Sequence, residues 1–344
     1  MKNTYIRVIS LLLVAVILIM LPACKNKGNR ETTYTADEGL LVYYFYYVAF
    51  AVTAQEEKEH NFINDADTSI KDMPYDEKRS WYDVLMERAV DALTEVLTYC
   101  NAAAEEGIVL STADRDRIEE NLTEQRMQAA LEGYTLDQYL AYIYGNSYVT
   151  EAVIKKQSEI QTLALKYTDI LAERFEKAVT DRLIEDKLAA MTGERDETLT
   201  RNIGVIVLAK NKYESDEDAA AATDAIVEEL KSKSKLDLDS FADYAAGKSD
   251  SDNHKFMNVA FGDMNGAIDE WLYAAGRSKG DIGSTSDDDA VYIIYYAEDG
   301  DAIYIANAKN AVISDMFDEW YKNNKDKYDT GITKSMIKGI DLNV

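Results

Sequence analysis

Histidine, cysteine and proline are nearly missing from this chain, each occurring twice in 344 residues. His60 and His254 are too few and too far apart to make a zinc cluster or a Ser-His-Asp arrangement, so hydrolase and metalloenzyme chemistry lose their usual carriers. No metal and no cofactor is expected. Basic residues are also short, 37 against 63 acidic ones, for a formal net charge of −26. Such a surface repels phosphate backbones, which excludes nucleic acid as a partner. Between Asp37 and Gly193 only Pro74 interrupts the chain, leaving long stretches open to helix.

Long apolar runs are scarce too, and the clearest one stands at the N-terminus. Lys2 and Arg7 precede an uncharged run from Val8 to Met20, followed by Leu21-Pro22-Ala23-Cys24. The run is shorter than the roughly 20 residues of a membrane span and has the layout of a secretory signal. Leu-x-Ala-Cys resembles the bacterial lipobox, in which the cysteine is acylated after cleavage before it. That resemblance implies a signal peptide over 1–23, a lipid on Cys24 and a location on the extracytoplasmic face of the cell membrane. Two acyl chains hold stably where one would not. The polar residues 24–37 then read as a flexible tether. With Cys24 acylated, Cys100 is the remaining thiol and no intramolecular disulfide can form. Cys100 falls on the apolar face of a predicted helix and reads as a small buried hydrophobe.

Residues 38–199 read as helix after helix. The run Leu40 to Phe50 is apolar and aromatic, a buried core helix. In the next, Trp81, Leu85, Ala89, Leu93, Val96, Cys100 and Ala103 recur at helical steps until Gly107. Ser111 with Asp114 and Thr135 with Gln138 have the spacing of reciprocal N-caps. From Val149 to Met191 the helical period continues through one long helix or two broken ones.

At Arg201 the texture changes. Ile203 to Leu208 is a strand-like run, Ser215 caps a helix, and a short helix surrounds Phe241. Polar turns follow at 248–254 and around Gly262. Ile268 to Ala275 predicts another short helix, and Val291 to Tyr296 the strongest strand. A closing helix over Ile303–Tyr328 presents Ile305, Ala308, Val312, Met316, Trp320 and Tyr321 on one side and needs a helical partner. The acidic runs Asp250–Asn253 and Asp287–Asp289 lack the spaced ligands of a calcium loop and read as solvated turns. The 24 tyrosines have two readings, core packing or the lining of a groove for extended chains.

This order, with Arg201-Asn202-Ile203, Phe241-Ala242-Asp243-Tyr244-Ala245, Gly262-Asp263-Met264, Gly280-Asp281-Ile282 and Tyr292-Ile293-Ile294, resembles the PrsA-like and SurA-like extracytoplasmic foldases. Glu105-Glu106-Gly107-Ile108-Val109-Leu110 adds a stretch similar to a helix link of that group. The resemblance implies an α+β chain: a helical chaperone domain over 38–199, a parvulin-like α/β domain of the PpiC type over 200–300, and a returning C-terminal helix in 301–344. It implies binding of unfolded or newly secreted polypeptides, with the inserted domain either isomerising X-Pro bonds or only adding surface, and it leaves room for a homodimer.

By the same resemblance the catalytic positions are Asn202 and Tyr292, where the family has histidines, and Ser251 in the loop that carries its Cys or Asp. Asn202 and Tyr292 could hydrogen-bond each other. The proline pocket is Met264, Ile268, Trp271 and Tyr273. The alternative from another class is a solute-binding lipoprotein of an uptake system, which would be built of two lobes with parallel strands.

Overall fold

A computed structural model describes residues 33–56, 69–193, 195–251 and 253–342; the expected signal peptide, the expected lipidation site Cys24 and His60 lie outside these. The architecture is α+β, in two compact units of the described residues: Val179–Ser314, and the described residues up to Ala178 together with those from Asp315 onward. No helix among the described residues is long and apolar enough to cross a membrane.

The helical unit is built on α1 (Glu38–Glu56), α2 (Trp81–Glu105), α3 (Thr112–Leu131), α4 (Leu136–Tyr144) and α5 (Glu151–Ala178). Helix α2 carries the core. Trp81, Leu85, Ala89, Leu93, Val96, Cys100 and Ala103 are all buried, as their helical spacing requires. The Cys100 Sγ donates to the Ile160 carbonyl at 3.1 Å, and burial pushes its thiol pKa well up. Ser80, Ser111 and Thr135 close capping boxes at α2, α3 and α4. Each satisfies an otherwise orphaned amide in the first helical turn.

One expectation for α1 needs correction. Leu40, Leu41, Val42, Tyr44 and Phe45 are buried, but Phe50 is 82% exposed. An apolar run this dense surrounds the whole helix cylinder, and packing covers only part of it.

The segment just before α1 is pinned: the Thr33 and Tyr34 amides both donate to Asn101 Oδ1 at 2.9 Å, and the Asn101 amide returns bonds to Tyr34 and Leu97 carbonyls. The last helical stretches return here too. In α10 (Ile303–Asn324) Trp320 stacks on Tyr99 at 4.9 Å and Phe317 meets Phe175 edge-on at 4.8 Å. Tyr328 then donates to Glu105 at 2.6 Å.

The second unit opens with α6 (Asp181–Ala190), separated from α5 at Val179-Thr180, where Thr180 is the N-cap. A four-stranded antiparallel sheet follows in the order β2 (Lys255–Val259), β1 (Leu199–Ala209), β4 (Ala290–Ala302), β3 (Ile282–Ser286). This antiparallel order is not the parallel, two-lobed build that a solute-binding protein requires.

Alternation divides the strand residues between two cores. On one face Ile206, Leu208, Val291, Ile293 and Tyr295 meet Val227 and Leu230 of α7 (Asp216–Ser232) and Phe241 and Ala245 of α8 (Leu238–Ala245). On the other, Ile203, Val205, Tyr292, Ile294 and Tyr296 meet α9 (Gly266–Leu272). Gly204 lies against the Phe241 ring so closely that any Cβ would overlap it, which is how α8 reaches the sheet.

Candidate functional site

The register of β1 and β4 decides where the nominated polar residues stand. Val207 is opposite Tyr292, whereas Asn202 is opposite Glu298, beyond a bulge between Asn202 and Ile203. Six residues of β4 separate those two levels, roughly 20 Å of strand. Asn202 and Tyr292 therefore do not bond each other, contrary to expectation.

Each is engaged locally instead. The buried Asn202 accepts from the Asn258 amide at 2.8 Å and donates to Glu298 Oε1 at 3.3 Å. Asn258, at φ 52°, in turn accepts from Thr200 Oγ1 and the Asp301 amide. A Cβ at Gly300 would run into Thr200 and Asn258, so the knot closes only around glycine. The Tyr292 hydroxyl donates to Asp287 Oδ2 at 2.7 Å, and burial together with that carboxylate pushes the phenol pKa well up. Asp287 also accepts from the amides of Asp289 and Ala290, so the acidic triplet forms a turn held by its own backbone.

Ser251 lies in a loop clipped to β1. The Val207 amide donates to Ser249 Oγ at 3.0 Å, the Asp250 amide to the Val207 carbonyl at 2.8 Å, and the Val205 amide to the His254 carbonyl at 3.0 Å. The structure thus brings the Ser251 loop alongside the Tyr292 end of the sheet and leaves Asn202 at the other. Ser251 itself takes the Asn253 amide at 3.3 Å, a bond within the loop.

The four nominated pocket residues do gather on one face. Ile268 and Trp271 are buried beneath the sheet, and Met264 and Tyr273 are half-buried against the same cluster. Arg277 covers the Trp271 ring, with its guanidinium carbon 3.9 Å from the ring centroid. Neither Ile268 nor Trp271 has the exposure that a proline ring would need.

A more open constellation lies one residue from Asn202. The Arg201 guanidinium carbon stands 4.4 Å from the Tyr273 ring centroid and 4.7 Å from that of Tyr296. Phe261, 69% exposed, meets Tyr273 edge-on at 5.7 Å. The Tyr273 hydroxyl donates to the Val259 carbonyl at 2.7 Å, and burial pushes its pKa up to about 12. Tyr296 donates to Asp299. These residues come from β1, the loop after β2, the residue after α9, and β4, so no local spacing announces them. The one hint was Arg201 itself at the head of the strand motif.

The helical unit carries its own exposed apolar surface. Met127 and Leu131 follow one another along α3, and Leu131 is 81% exposed. Next in the chain, Tyr134 stacks on Tyr142 of α4 with centroids 6.2 Å apart, and Tyr142 is 75% exposed beside exposed Ile143. Isolated surface hydrophobics are ordinary, but five on two consecutive helices and the turn between them are a concentration of exposed apolar side chains.

No protein-family model matches the chain, and no curated protein does. The solved structures similar to it include PrsA foldases. PrsA from Bacillus subtilis is 16% identical, over 77% of this chain and 90% of that one, at a TM-score of 0.31. The PrsA peptidylprolyl isomerase from Bacillus anthracis is 14% identical over 72% and 93%, at 0.23. The foldase protein PrsA from Streptococcus pneumoniae is 12% identical over 74% and 85%, also at 0.23. At such scores the superposition is partial, and a mechanism has to come from this chain's own residues.

Proposed function

We propose that this protein is an extracytoplasmic folding factor, tethered to the cell membrane by a lipid on Cys24, that holds newly exported unfolded polypeptides. The observation that carries the reading is the exposed apolar surface of α3 and α4, with Met127, Leu131, Tyr134, Tyr142 and Ile143 open to solvent on helices closed by capping boxes. Such a surface covers apolar client segments weakly and releases them, while a net charge of −26 keeps the holder soluble and favours basic clients.

Within this reading the sheet-containing unit adds binding surface rather than histidine-based prolyl isomerisation. The separation of Asn202 from Tyr292 along β4 supports that choice. The test is suppression of aggregation of a chemically unfolded protein by the full chain. Protection is expected, and the double variant Leu131→Asp/Tyr142→Asp is expected to lose most of it with an unchanged circular dichroism spectrum. Equal protection by that variant would refute the role of that surface, and no protection by the wild type would refute the function.

A further inference from the structure

The four-stranded sheet has two edges, β2 and β3, and they are finished differently. Strand β2 carries the devices that keep an edge from pairing. Lys255 is exposed on it, its ladder with β1 shifts register between Arg201 and Ile203, and Asn258 stands at φ 52°. The Val259 carbonyl is already taken by the Tyr273 hydroxyl at 2.7 Å. Strand β3, Ile282-Gly283-Ser284-Thr285-Ser286, has none of these. It carries no charge and no proline, and its five residues pair with β4 in unbroken register.

Hydrogen bonds at the two ends of β3 fix which of its main-chain groups face outward. The Tyr296 amide donates to the Asp281 carbonyl at 2.9 Å, and the Asp287 amide to the Ala290 carbonyl at 3.1 Å. Bonded positions alternate along an antiparallel pair, so Gly283 and Thr285 turn their main-chain groups to β4, and Ile282, Ser284 and Ser286 turn theirs to the free edge. Among the described residues no hydrogen bond reaches those outward groups, and Ser284 and Ser286 are exposed. Both faces of the strand are in use. Ile282 packs into the core with α7 and α8, and a Cβ at Gly283 would come within 2.9 Å of the Trp271 ring on the other side. The edge is what remains for a partner.

A row of donors and acceptors two residues apart matches the main chain of another extended strand, whereas a side chain or a small ligand meets one of them at a time. Charge selects the strand. Two copies of this chain paired about Ser284 would set Asp281 of each opposite Asp287 of the other, with a net charge of −26 on both. A polypeptide with basic residues flanking an uncharged segment instead meets the turn Asp287–Asp289, where Asp288 and Asp289 are exposed and Lys210 offsets part of the charge of Asp287.

We propose that the outer edge of β3 is a strand-addition site, where an uncharged extended segment of an unfolded polypeptide, flanked by basic residues, pairs with the outward main-chain groups of Ile282, Ser284 and Ser286. The inference rests on the folding-factor reading and names what the sheet-containing unit takes from the client, its main chain.

The probe is the peptide acetyl-Lys-Val-Thr-Ala-Val-Thr-Lys-amide, titrated into the 15N-labelled full chain. The amide signals of Ile282, Ser284 and Ser286 are expected to move downfield and saturate, while those of Gly283 and Thr285, already bonded to β4, move less. Ser284→Pro removes one outward donor and no bond of the β3–β4 ladder, a place where an edge strand tolerates proline. It is expected to weaken the peptide about tenfold, with an unchanged circular dichroism spectrum and unchanged aggregation suppression by the α3–α4 surface. Exchanging both lysines of the peptide for glutamate is expected to weaken it about tenfold at low salt and less at high salt. Stationary signals at the three outward amides, unchanged binding by a folded Ser284→Pro, equal binding of the glutamate peptide or no binding at all overturns the proposal. Movement of the same amides with protein concentration alone, together with dimers in sedimentation, gives the edge to a second copy and overturns it too. If Ser284→Pro does not fold, the alternation of the wild-type signals decides alone. Failure of the wild type to suppress aggregation is a separate result, and it overturns the folding-factor reading instead.

Discussion

Glu95 shows most directly how burial sets the properties of single residues here. It lies on α2, is 6% exposed, and has one carboxylate oxygen without a partner. Burial, and then the negative neighbours Asp318 and Asp91, push its pKa up to about 8. The folded state therefore binds this proton more tightly than the unfolded chain does. By linkage its contribution is fully present below the ordinary carboxylate range and is lost as pH rises toward 8. Thermal unfolding should show a melting temperature that falls over that interval, and Glu95→Gln should flatten the fall and raise the melting point at pH 8 by several degrees. An unchanged pH profile in that variant would mean that other groups govern the transition. Sequence alone marked this position as helical but not as buried, because glutamate belongs among the exposed positions of a helix. Cys100 was the opposite case, since a small apolar residue on a periodic apolar face has little alternative to the core.

At the scale of elements, legibility followed the range of the interactions that make each one. Ser111, Thr135 and Ser215 each accept from the amide three residues on, so caps four residues long announce their helices. Strand β4 was legible from its run of β-branched and aromatic residues, though it continues past Gly300 to Ala302. Strands β2 and β3 were not. Their five residues each are mixed and polar, Lys255 to Val259 and Ile282 to Ser286, and they become strands by pairing with β1 and β4. The same holds for the contact between Gly204 and Phe241, residues on different elements. Gly204→Ala should force α8 from the sheet and cost about 1–3 kcal/mol in denaturant unfolding. A loss below a few tenths would show that α8 can shift freely.

For the whole molecule, the question is whether the sheet-containing unit catalyses or only binds. The polar positions were legible as candidates, but their mutual placement was not. Asn202 and Glu298 are 96 residues apart in sequence and joined only by folding. Because Asn202 and Tyr292 stand at different levels of the sheet, the double variant Asn202→His/Tyr292→His should not create a histidine pair. Proline cis/trans exchange in a tetrapeptide, followed by NMR, should be no faster with that variant than with the wild type. Acceleration by the variant would require a register that closes the gap between the two positions.

What the sequence by itself determined was local or compositional: the acidic charge balance, the order of helices with their caps, and the central strands. Each rests on neighbours within a few residues or on counts that folding does not change. Only the tertiary structure decided that a bulge at Asn202–Ile203 would set the site's register, that Asn202 would be spent on Asn258 and Glu298, and that Arg201 would sit against two tyrosine rings. Those outcomes depend on strand pairing between segments about 100 residues apart, and no periodicity in either segment encodes the alignment between them.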